Sequence, residues 1–152
     1  MVFGGEFEPN IDEKGRIIIP AKLRTAIEGD TLKMTKGFDK CLMLFPVDEW
    51  KRVSEQIRFS TSIFQEKGRA MRRRFVDHDL EIDKTGRIII PPTLRDFAEL
   101  KKECVFLGFD NYIEIWSKEV YQEYGEENEP GFKNFAEEIG QILTDSKKEV
   151  QD

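Results

Sequence analysis

Short apolar runs alternate along this chain with residues that favour turns. The first clear example is Arg-Ile-Ile-Ile-Pro at residues 16–20, which follows Asp-Glu-Lys-Gly at residues 12–15. β-Branched residues favour buried strands, and a turn that begins with Asp and ends with Gly suits a type I turn closed by a bulge. The pattern therefore predicts extended chain at about Glu6–Ile11, then a hairpin turn, then a buried strand from Arg16 to Ile19.

The residues after this strand predict a short helix and a second hairpin. A proline in the first turn of a helix loses no backbone hydrogen bond, so Pro20 suits the start of a helix over about Pro20–Ile27. Two apolar segments follow, Thr31–Lys36 and Cys41–Phe45, on either side of Gly-Phe-Asp-Lys at residues 37–40. Because this four-residue segment favours a turn, the two apolar segments are predicted to be the arms of a hairpin.

The same pattern recurs 71 residues later. Ile11–Pro20 matches Ile82–Pro91, and aligning residues 11–50 with 82–121 without a gap gives 14 identities in 40 positions. A match of this length at one constant offset marks an internal repeat. The second copy predicts the same elements: extended chain at about Asp77–Ile82, a helix at about Pro92–Glu99, and hairpin arms at Glu103–Leu107 and Tyr112–Trp116 around residues 108–111.

One copy of the repeat is too small to be stable alone. A unit of about 40 residues rarely buries enough apolar surface without a metal, a disulfide or a partner. The two cysteines, Cys41 and Cys104, occupy non-equivalent positions in the two copies and have no metal-ligand spacing. We therefore expect the copies to bury their apolar strand faces against each other, in one α+β structure with a pseudo-twofold axis.

Helical spacing of apolar residues marks the linker between the copies and the chain after the second copy. Apolar positions predict helices at about Val47–Phe59 and Ile63–Phe75. Ser117 can cap a further helix that runs to about Tyr124. The two copies are thus expected to be joined and followed by helices.

The C-terminal part of the chain predicts one more amphipathic helix. After a break at residues 126–131, apolar residues form a helical stripe from Phe132 to Leu143, which suits packing against the core or against another subunit. The expected organisation is a first repeat over residues 1–50, a helical basic linker over 51–75, a second repeat over 76–121, and an acidic C-terminal helix and tail over 122–152.

Charge is distributed unevenly over the 152 residues, whose formal net charge is −6. Residues 119–152 carry 10 acidic and 3 basic side chains, whereas residues 51–74 carry 8 basic and 2 acidic ones. A local positive field therefore remains for an anionic partner despite the overall acidity. No apolar run reaches the roughly 18–20 residues of a membrane span, and the first residues show no signal peptide, so we expect a soluble cytosolic protein without a membrane partner.

Two Asp-x-x-x-Arg elements, Asp12–Arg16 and Asp83–Arg87, each lead into an apolar strand and then into Pro-x-x-Leu-Arg. The two elements stand at equivalent positions of the repeat. In this they resemble the MraZ family of bacterial transcription regulators, which carry two SpoVT-AbrB-type units. The resemblance covers roughly residues 1–143. It implies an AbrB-like swapped-hairpin β-barrel built from both repeats, with peripheral helices. It also implies sequence-specific binding of double-stranded DNA at direct repeats near the promoter of the division and cell-wall gene cluster, by a ring-shaped homo-oligomer in the cytoplasm and nucleoid.

The resemblance places DNA contacts at the motif arginines, Arg16 and Arg87. Arginine donates two parallel hydrogen bonds to guanine or phosphate, and an arginine directly after a hairpin turn can extend from the solvent face of a strand. The alternative is that each arginine only pairs with its motif aspartate and holds the turn together. Because carboxylates repel phosphate, we interpret the aspartates as acceptors for backbone N–H groups. The residues that would orient the arginines are Asp12, Asp83, Gly15 and Gly86.

Further basic residues are candidates for DNA contact. Lys14 and Lys84 lie in the two turns. Arg24 and Arg95 lie on the two short helices, where they either extend the basic surface or interact with the helix C-termini. In the linker, helical spacing puts three arginines on one face, where they either contact phosphates or are neutralised by the acidic tail. These three are Arg69, Arg72 and Arg73.

Catalytic chemistry finds little support in the sequence. His78 is the single histidine, and the chain has neither a glycine-rich phosphate loop nor a nucleophile elbow. We therefore expect a DNA-binding protein that has no enzymatic activity, cofactor, metal or small-molecule substrate. The alternative from a different class is an AbrB-type protein-interaction module, similar to an antitoxin, whose acidic C-terminal helix docks onto another protein.

Overall fold

Antiparallel strand pairing across the two repeats organises the computed structural model, which describes residues 2–151. Met1 and Asp152, the last residue of the expected acidic tail, lie outside the described residues. The chain divides into two compact units, Met1–Val120 and Tyr121–Asp152. The first unit contains two antiparallel sheets together with helices, which confirms the α+β class.

The first unit contains a six-stranded sheet and a separate two-stranded ribbon. The ribbon pairs β2 (Arg16–Ile18) with β6 (Arg87–Ile89). The strands of the larger sheet are β1 Glu6–Phe7, β3 Thr31–Lys36, β4 Leu42–Pro46, β5 His78–Glu81, β7 Cys104–Phe109 and β8 Tyr112–Ser117. Their order across the sheet is β1-β7-β8-β4-β3-β5.

Strands are exchanged between the repeats. β1 of the first repeat pairs with β7 of the second, with Phe7 opposite Phe106. Conversely, β5 of the second repeat pairs with β3 of the first, with Leu80 opposite Leu32. Each repeat therefore adds a strand to the hairpin of the other, which is how two copies that are too small to stand alone share one core.

An internal pseudo-twofold axis follows from the strand register. In the ribbon Ile17 lies opposite Ile88, and at the centre of the larger sheet Met43 lies opposite Glu114. Both pairs join residues 71 positions apart, which is the offset of the sequence repeat. A residue that pairs antiparallel with its own repeat equivalent lies on a local twofold axis, as in an isologous dimer interface. The two copies are thus arranged as the repeat led us to expect.

The strand pairings do not close into the swapped-hairpin barrel that the family resemblance implied. Within residues 2–151 the larger sheet ends at β1 on one side and at β5 on the other, and the ribbon is a separate sheet. The chain before the first Asp-x-x-Gly turn meets the strand after it only at the bridge between Ile11 and Ile17. The arms of the turn pair with the other repeat instead, so the observed architecture is two open sheets with exchanged strands.

The apolar faces of the two sheets and the short helices share one core. The helices α1 (Ala21–Arg24) and α4 (Pro92–Phe97) begin after Pro20 and Pro91 and are shorter than predicted. Burying each large apolar side chain contributes about 1.5–3 kcal/mol. Both repeats supply fully buried members in equivalent pairs, among them Ile17 and Ile88, Ile19 and Ile90, Leu23 and Leu94, and Leu42 and Ile113.

The linker forms two helices, α2 (Val47–Ser60) and α3 (Glu66–Arg74), near their predicted positions. Trp50 on α2 and Phe75 after α3 are buried with Met43 and Phe45 in a second, smaller apolar cluster. Because side chains alternate along a strand, this cluster lies on the face of β4 opposite the main core. Helix α2 and Phe75 therefore pack on the outer face of β4.

The two repeats differ at their second hairpin, although both turns begin Gly-Phe-Asp. In the first, the N–H of Gly37 donates to the carbonyl of Cys41 at 2.7 Å, which leaves three residues in the loop. In the second, Phe109 lies opposite Tyr112, which leaves two residues, and Asp110 takes a left-handed φ of +60°. The difference shifts the register of β7 and β8 by one residue relative to β3 and β4.

The second unit is helical. The helix α5 (Lys118–Asn128) leads into it, and a 3₁₀ turn at Glu129–Gly131 precedes α6 (Phe132–Gln151). The large apolar residues of the predicted stripe, from Phe132 to Leu143, are 49–63% exposed. No helix in the described part of the chain is long and apolar enough to cross a membrane.

Candidate nucleic-acid interface

Strand alternation gives the ribbon two different faces. Successive side chains of a strand point to opposite sides, and Ile17 and Ile88 face the core with at most 1% of their surface exposed. The prediction of a continuously buried run is wrong for Ile18 and Ile89, because the ribbon is covered on one face only. Four side chains occupy the uncovered face: Arg16, Ile18, Arg87 and Ile89.

The first turn holds Arg16 by its backbone and by its side chain. One oxygen of the Asp12 carboxylate accepts hydrogen bonds from the backbone N–H groups of Lys14 at 3.0 Å and of Arg16 at 2.8 Å. The other oxygen accepts from Arg16 Nε at 2.6 Å. Gly15 has a φ of +83°, in the left-handed region that favours glycine. The turn therefore has the predicted geometry, with the aspartate as its acceptor.

The second turn repeats this arrangement and adds one hydrogen bond. Asp83 accepts from the backbone N–H groups of Thr85 and Arg87, both at 2.9 Å, and from Arg87 Nε at 3.0 Å. The hydroxyl of Thr85 also donates to Asp83, at 2.8 Å. Gly86 again has a φ of +83°. Both motif arginines are thus held in the same way by their aspartates.

These hydrogen bonds favour the ionised aspartates and fix the direction of the guanidinium groups. The backbone N–H of Arg16 holds the pKa of the Asp12 carboxyl below its usual value, and the Arg16 side chain adds to this effect. The pKa of Asp83 is strongly lowered, first by the backbone N–H of Arg87 and next by the Thr85 hydroxyl. Since each aspartate engages only Nε, both Nη groups of each guanidinium remain available to an external pair of acceptors.

Arg24 and Arg95 pack against the turns of the opposite repeat. A Cβ on Gly15 would lie only 2.8 Å from Arg95 Cζ, and a Cβ on Gly86 would overlap the guanidinium of Arg24. Arg95 Nε is buried and has no hydrogen-bond partner among the described residues. These two arginines therefore join the ribbon turns, a contact between repeats that the sequence analysis missed because no local pattern encodes it.

The two lysines of the turns are both exposed but are not equivalent. At the repeat offset Lys14 corresponds to Thr85, and Lys84 corresponds to Glu13. The ribbon and its turns nevertheless carry an excess of positive charge, which attracts anions. The basic side chains are Lys14, Arg16, Arg24, Lys84, Arg87 and Arg95, and the acidic ones are Asp12, Glu13 and Asp83.

The three linker arginines differ in their contacts. Arg72 donates from Nε to the Thr61 hydroxyl at 3.1 Å and from Nη2 to two carbonyl groups at the end of α2. Arg69 donates to the carbonyl of Ile63 at 2.9 Å. Arg73 is exposed and has no hydrogen bond or ion pair with the described side chains, which end at residue 147. The phosphate contact of all three stays a prediction, and Arg73 has the most freedom to make it.

Two grooves in the described part of the first unit are lined by no basic side chain. One groove is apolar and is lined by Phe38, Phe45 and Tyr112, and no group of His, Cys, Asp and Glu side chains in the described part of the chain is placed to hold a metal. Cys41 and Cys104 are unpaired and buried, and burial raises the pKa of their thiols to about 12 and about 11. The outer face of the ribbon is therefore the candidate functional site.

Comparisons with known proteins follow the same two-part organisation. The family model described as "MraZ protein, putative antitoxin-like" matches residues 2–74 and 77–141. The protein named transcriptional regulator MraZ from Treponema denticola is 40% identical over 140 residues, which cover 91% of this chain and 97% of that protein. The proteins of the same name from Natranaerobius thermophilus and Desulforamulus reducens are 42% and 41% identical, over 91% and 93% of this chain and 96% and 100% of those proteins.

A solved structure gives a much weaker similarity. The solution structure of PHS018 from Pyrococcus horikoshii has 20% sequence identity and a TM-score of 0.32, over 76% of this chain and 89% of that chain. A similarity at this level does not bear on the fold.

Proposed function

The chain belongs to the MraZ family, and from this premise we propose that it is a transcription regulator that binds double-stranded DNA sequence-specifically through the outer face of the β2–β6 ribbon. The binding sites are direct repeats near the promoter of the division and cell-wall gene cluster. The protein acts in the cytoplasm, at the nucleoid. The observation that carries the proposal is that two guanidinium groups, one from each repeat, lie on one exposed face with their Nη groups available.

The dimensions of the ribbon support insertion into the major groove. That groove is about 12 Å wide and admits a two-stranded antiparallel ribbon. Arg16 lies opposite Ile89, so Arg87 is its diagonal neighbour, about 7–8 Å away. This spacing is about two base steps of roughly 3.4 Å each. Each arginine can then donate two hydrogen bonds to one guanine, and the two guanines lie about two base steps apart in the same site.

The surrounding basic side chains would position the ribbon on the backbone. Lys14 and Lys84 are exposed in the two turns, and phosphate contacts from such side chains set register and orientation without reading sequence. Arg24 and Arg95 support the turns and add to the positive field. The linker arginines, Arg73 in particular, would extend the contact along the DNA backbone.

Self-assembly would multiply this contact. A single ribbon reads few base pairs, and several linked copies on several direct repeats bind far more tightly through their high effective concentration. The exposed apolar stripe of α6 supports association of copies, since large uncovered apolar patches mark interaction sites. We propose a ring-shaped homo-oligomer, which sedimentation of the full chain would test.

The decisive experiment removes both motif arginines. Each good pair of hydrogen bonds to a base contributes about 1–3 kcal/mol of discrimination, so Arg16→Ala combined with Arg87→Ala should weaken binding of the gene's own upstream DNA at least about 30-fold. A mobility-shift titration at several salt concentrations measures the loss, and a thermal melt near that of the wild type shows that the fold is intact. Arg58→Ala, an exposed arginine on α2, is the control. Retained binding in the double variant would overturn the assignment.

A second candidate function rests on the same α6 stripe. If the stripe docks another protein, the chain is an antitoxin-like interaction module rather than a DNA reader. Phe135→Ser combined with Ile139→Ser, two exposed residues of α6, would then abolish capture of that partner by the full chain. In this case the wild type would not retain its own upstream DNA at moderate salt.

A further inference from the structure

Two isoleucines on the outer face of the ribbon are exposed where the strand pattern leads one to expect polar residues. Ile18 is 48% exposed and Ile89 is 59% exposed, whereas the isoleucines on either side of each are buried. The two are repeat equivalents, 71 positions apart. Exposing a β-branched apolar side chain to water is unfavourable in free energy. Such a side chain also offers a contact surface for an apolar group of a ligand.

The register places each exposed isoleucine beside a motif arginine. Ile18 lies directly opposite Arg87, and Ile89 lies directly opposite Arg16. The N–H of Ile19 donates to the carbonyl of Gly86, and such hydrogen-bonded pairs alternate along an antiparallel ladder. The arginine–isoleucine pairs are therefore the closely spaced, non-hydrogen-bonded ones, with Cα atoms about 4.5 Å apart.

Resting on the proposed function, we infer that Ile18 and Ile89 contact the C5-methyl groups of thymines next to the bases that Arg87 and Arg16 bind. Thymine is the one base of DNA that presents a methyl group in the major groove, and apolar side chains recognise it by contact. A guanidinium and an isoleucine about one base step apart thus form one reading unit. The pseudo-twofold axis places a second unit beside it.

The charge around the isoleucines favours DNA over a protein surface. The ribbon and its surroundings carry six basic side chains against three acidic ones, and an apolar protein interface would have to desolvate these charges. In the DNA groove the same groups stay solvated or pair with phosphates and base edges. An isoleucine in this setting can contact a small apolar group only at a base edge, and that group is the thymine methyl.

The test replaces thymine by uracil throughout the DNA. The gene's upstream fragment is amplified with deoxyuridine triphosphate in place of thymidine triphosphate, which removes every methyl group and keeps every hydrogen bond. Burial of one methyl changes an affinity about fourfold, so loss of two such contacts should weaken wild-type binding roughly 15-fold. Ile18→Ala combined with Ile89→Ala should bind the thymine fragment about as weakly, and should lose little more on the uracil fragment.

Ile63→Ala, which truncates an exposed isoleucine outside the ribbon, is the matched control and should respond to uracil like the wild type. Wild-type affinity that does not change with uracil overturns the methyl contact while leaving DNA binding standing. An equal loss on uracil DNA in the wild type and in the double isoleucine variant also overturns it, because DNA shape would then be the cause. If the wild type does not prefer the thymine fragment over unrelated DNA at moderate salt, the proposed function itself fails.

Discussion

The two ribbon turns have the same three anchor residues and differ in the two residues between them. In both, the aspartate accepts two backbone N–H groups, the glycine takes a φ of +83°, and the arginine is held through Nε. Between the anchors, one turn carries Glu13 and Lys14 and the other carries Lys84 and Thr85. The comparison shows that the anchors determine the direction of the arginine, whereas the residues between them vary the charge presented to a ligand.

The second hairpins of the two repeats are held by different means. At the first, Arg74 donates from Nε to the carbonyl of Gly37 at 3.0 Å and stacks 4.6 Å from the ring centre of Phe97. At the second, Phe3 exchanges two backbone hydrogen bonds with Asp110, both at 2.7 Å. Phe3 and Arg74 are themselves 71 positions apart. Equivalent positions thus support equivalent turns, by backbone in one repeat and by a side chain in the other.

The largest loss of stability is expected when alanine replaces a glycine of a ribbon turn, because Gly15 and Gly86 leave space for the side chains of Arg95 and Arg24. A left-handed alanine costs about 1–2 kcal/mol, so Gly29→Ala, with a φ of +76° and open space around it, should lose that much stability. Gly15→Ala and Gly86→Ala should lose somewhat more, about 2 kcal/mol, because the guanidinium ends of Arg95 and Arg24 must also move aside. Urea unfolding measures the series. Equal losses at all three would show that the arginines do not pack tightly on the turns.

A smaller loss is expected when the side-chain support of the first hairpin is removed. Arg74→Ala leaves carbonyl groups of the turn at residues 37–39 without their donor, and hydrogen bonds from a charged group are worth about 1.5–3 kcal/mol. We expect a loss of about 1.5 kcal/mol in the free energy of unfolding. Hydrogen exchange should be faster at the first hairpin and unchanged at the second. Equal exchange at both would contradict the separate support of the two turns.

Acid should distinguish the aspartates from their amide variants. A carboxylate whose pKa is lowered on folding adds stability above its usual pKa of about 3.9, and this stability is lost as the pH falls through the lowered value. Asp83→Asn should therefore be less stable than the wild type at pH 7, and the difference should shrink below about pH 4. Asp12→Asn should show the same trend more weakly. Urea unfolding at pH 7, 4 and 3 measures it, with Glu13→Gln as the control.

The smallest expected effect comes from exchanging the variable residues of the turns. Each phosphate contact contributes about 0.9 to the slope of log binding constant against log salt. Lys14→Thr should lower that slope by about one, and Thr85→Lys should raise it by about one, with the arginines untouched. A titration of DNA binding from low to moderate salt measures both. Unchanged slopes would mean that the turns do not lie against the DNA backbone.

Much of the fold could be predicted because the repeated sequence pattern predicts the same strands and helices in both copies. The repeat offset predicted that the two copies share one core about a pseudo-twofold axis, and proline positions predicted the helix starts. The pairing of Ile17 with Ile88 was not predicted. Strand closure could not be predicted, because it depends on how far the arms of each turn separate. The one-residue difference in loop length between the two second hairpins also escaped prediction, since Gly-Phe-Asp begins both turns.

The sequence predicted the turn geometry of the Asp-x-x-x-Arg elements, but not the side chains that pack around them. Asp-x-x-x-Arg is a local pattern, so the hydrogen bonds that Arg16 donates to Asp12 follow from five consecutive residues. The packing of Arg24 on Gly86 joins different repeats and has no local signature. The exposure of Ile18 had a signal, because alternate residues of a ribbon covered on one face must face outward. The alternation could not be read from residues 17–19, because all three are isoleucines and both faces of the strand therefore carry the same residue type.

The fusion of two unlike halves into one chain gives the ribbon a polarity. A homodimer of identical subunits presents the same surface when rotated by half a turn, so it cannot tell which way along a duplex it has landed. Here Ile17 pairs with Ile88 inside a single polypeptide. Lys14 and Thr85 occupy equivalent positions on the two sides of the pseudo-twofold axis, so the two sides differ in charge. Each copy therefore has distinct ends, and under the proposed function copies bound at tandem sites would all point in the same direction.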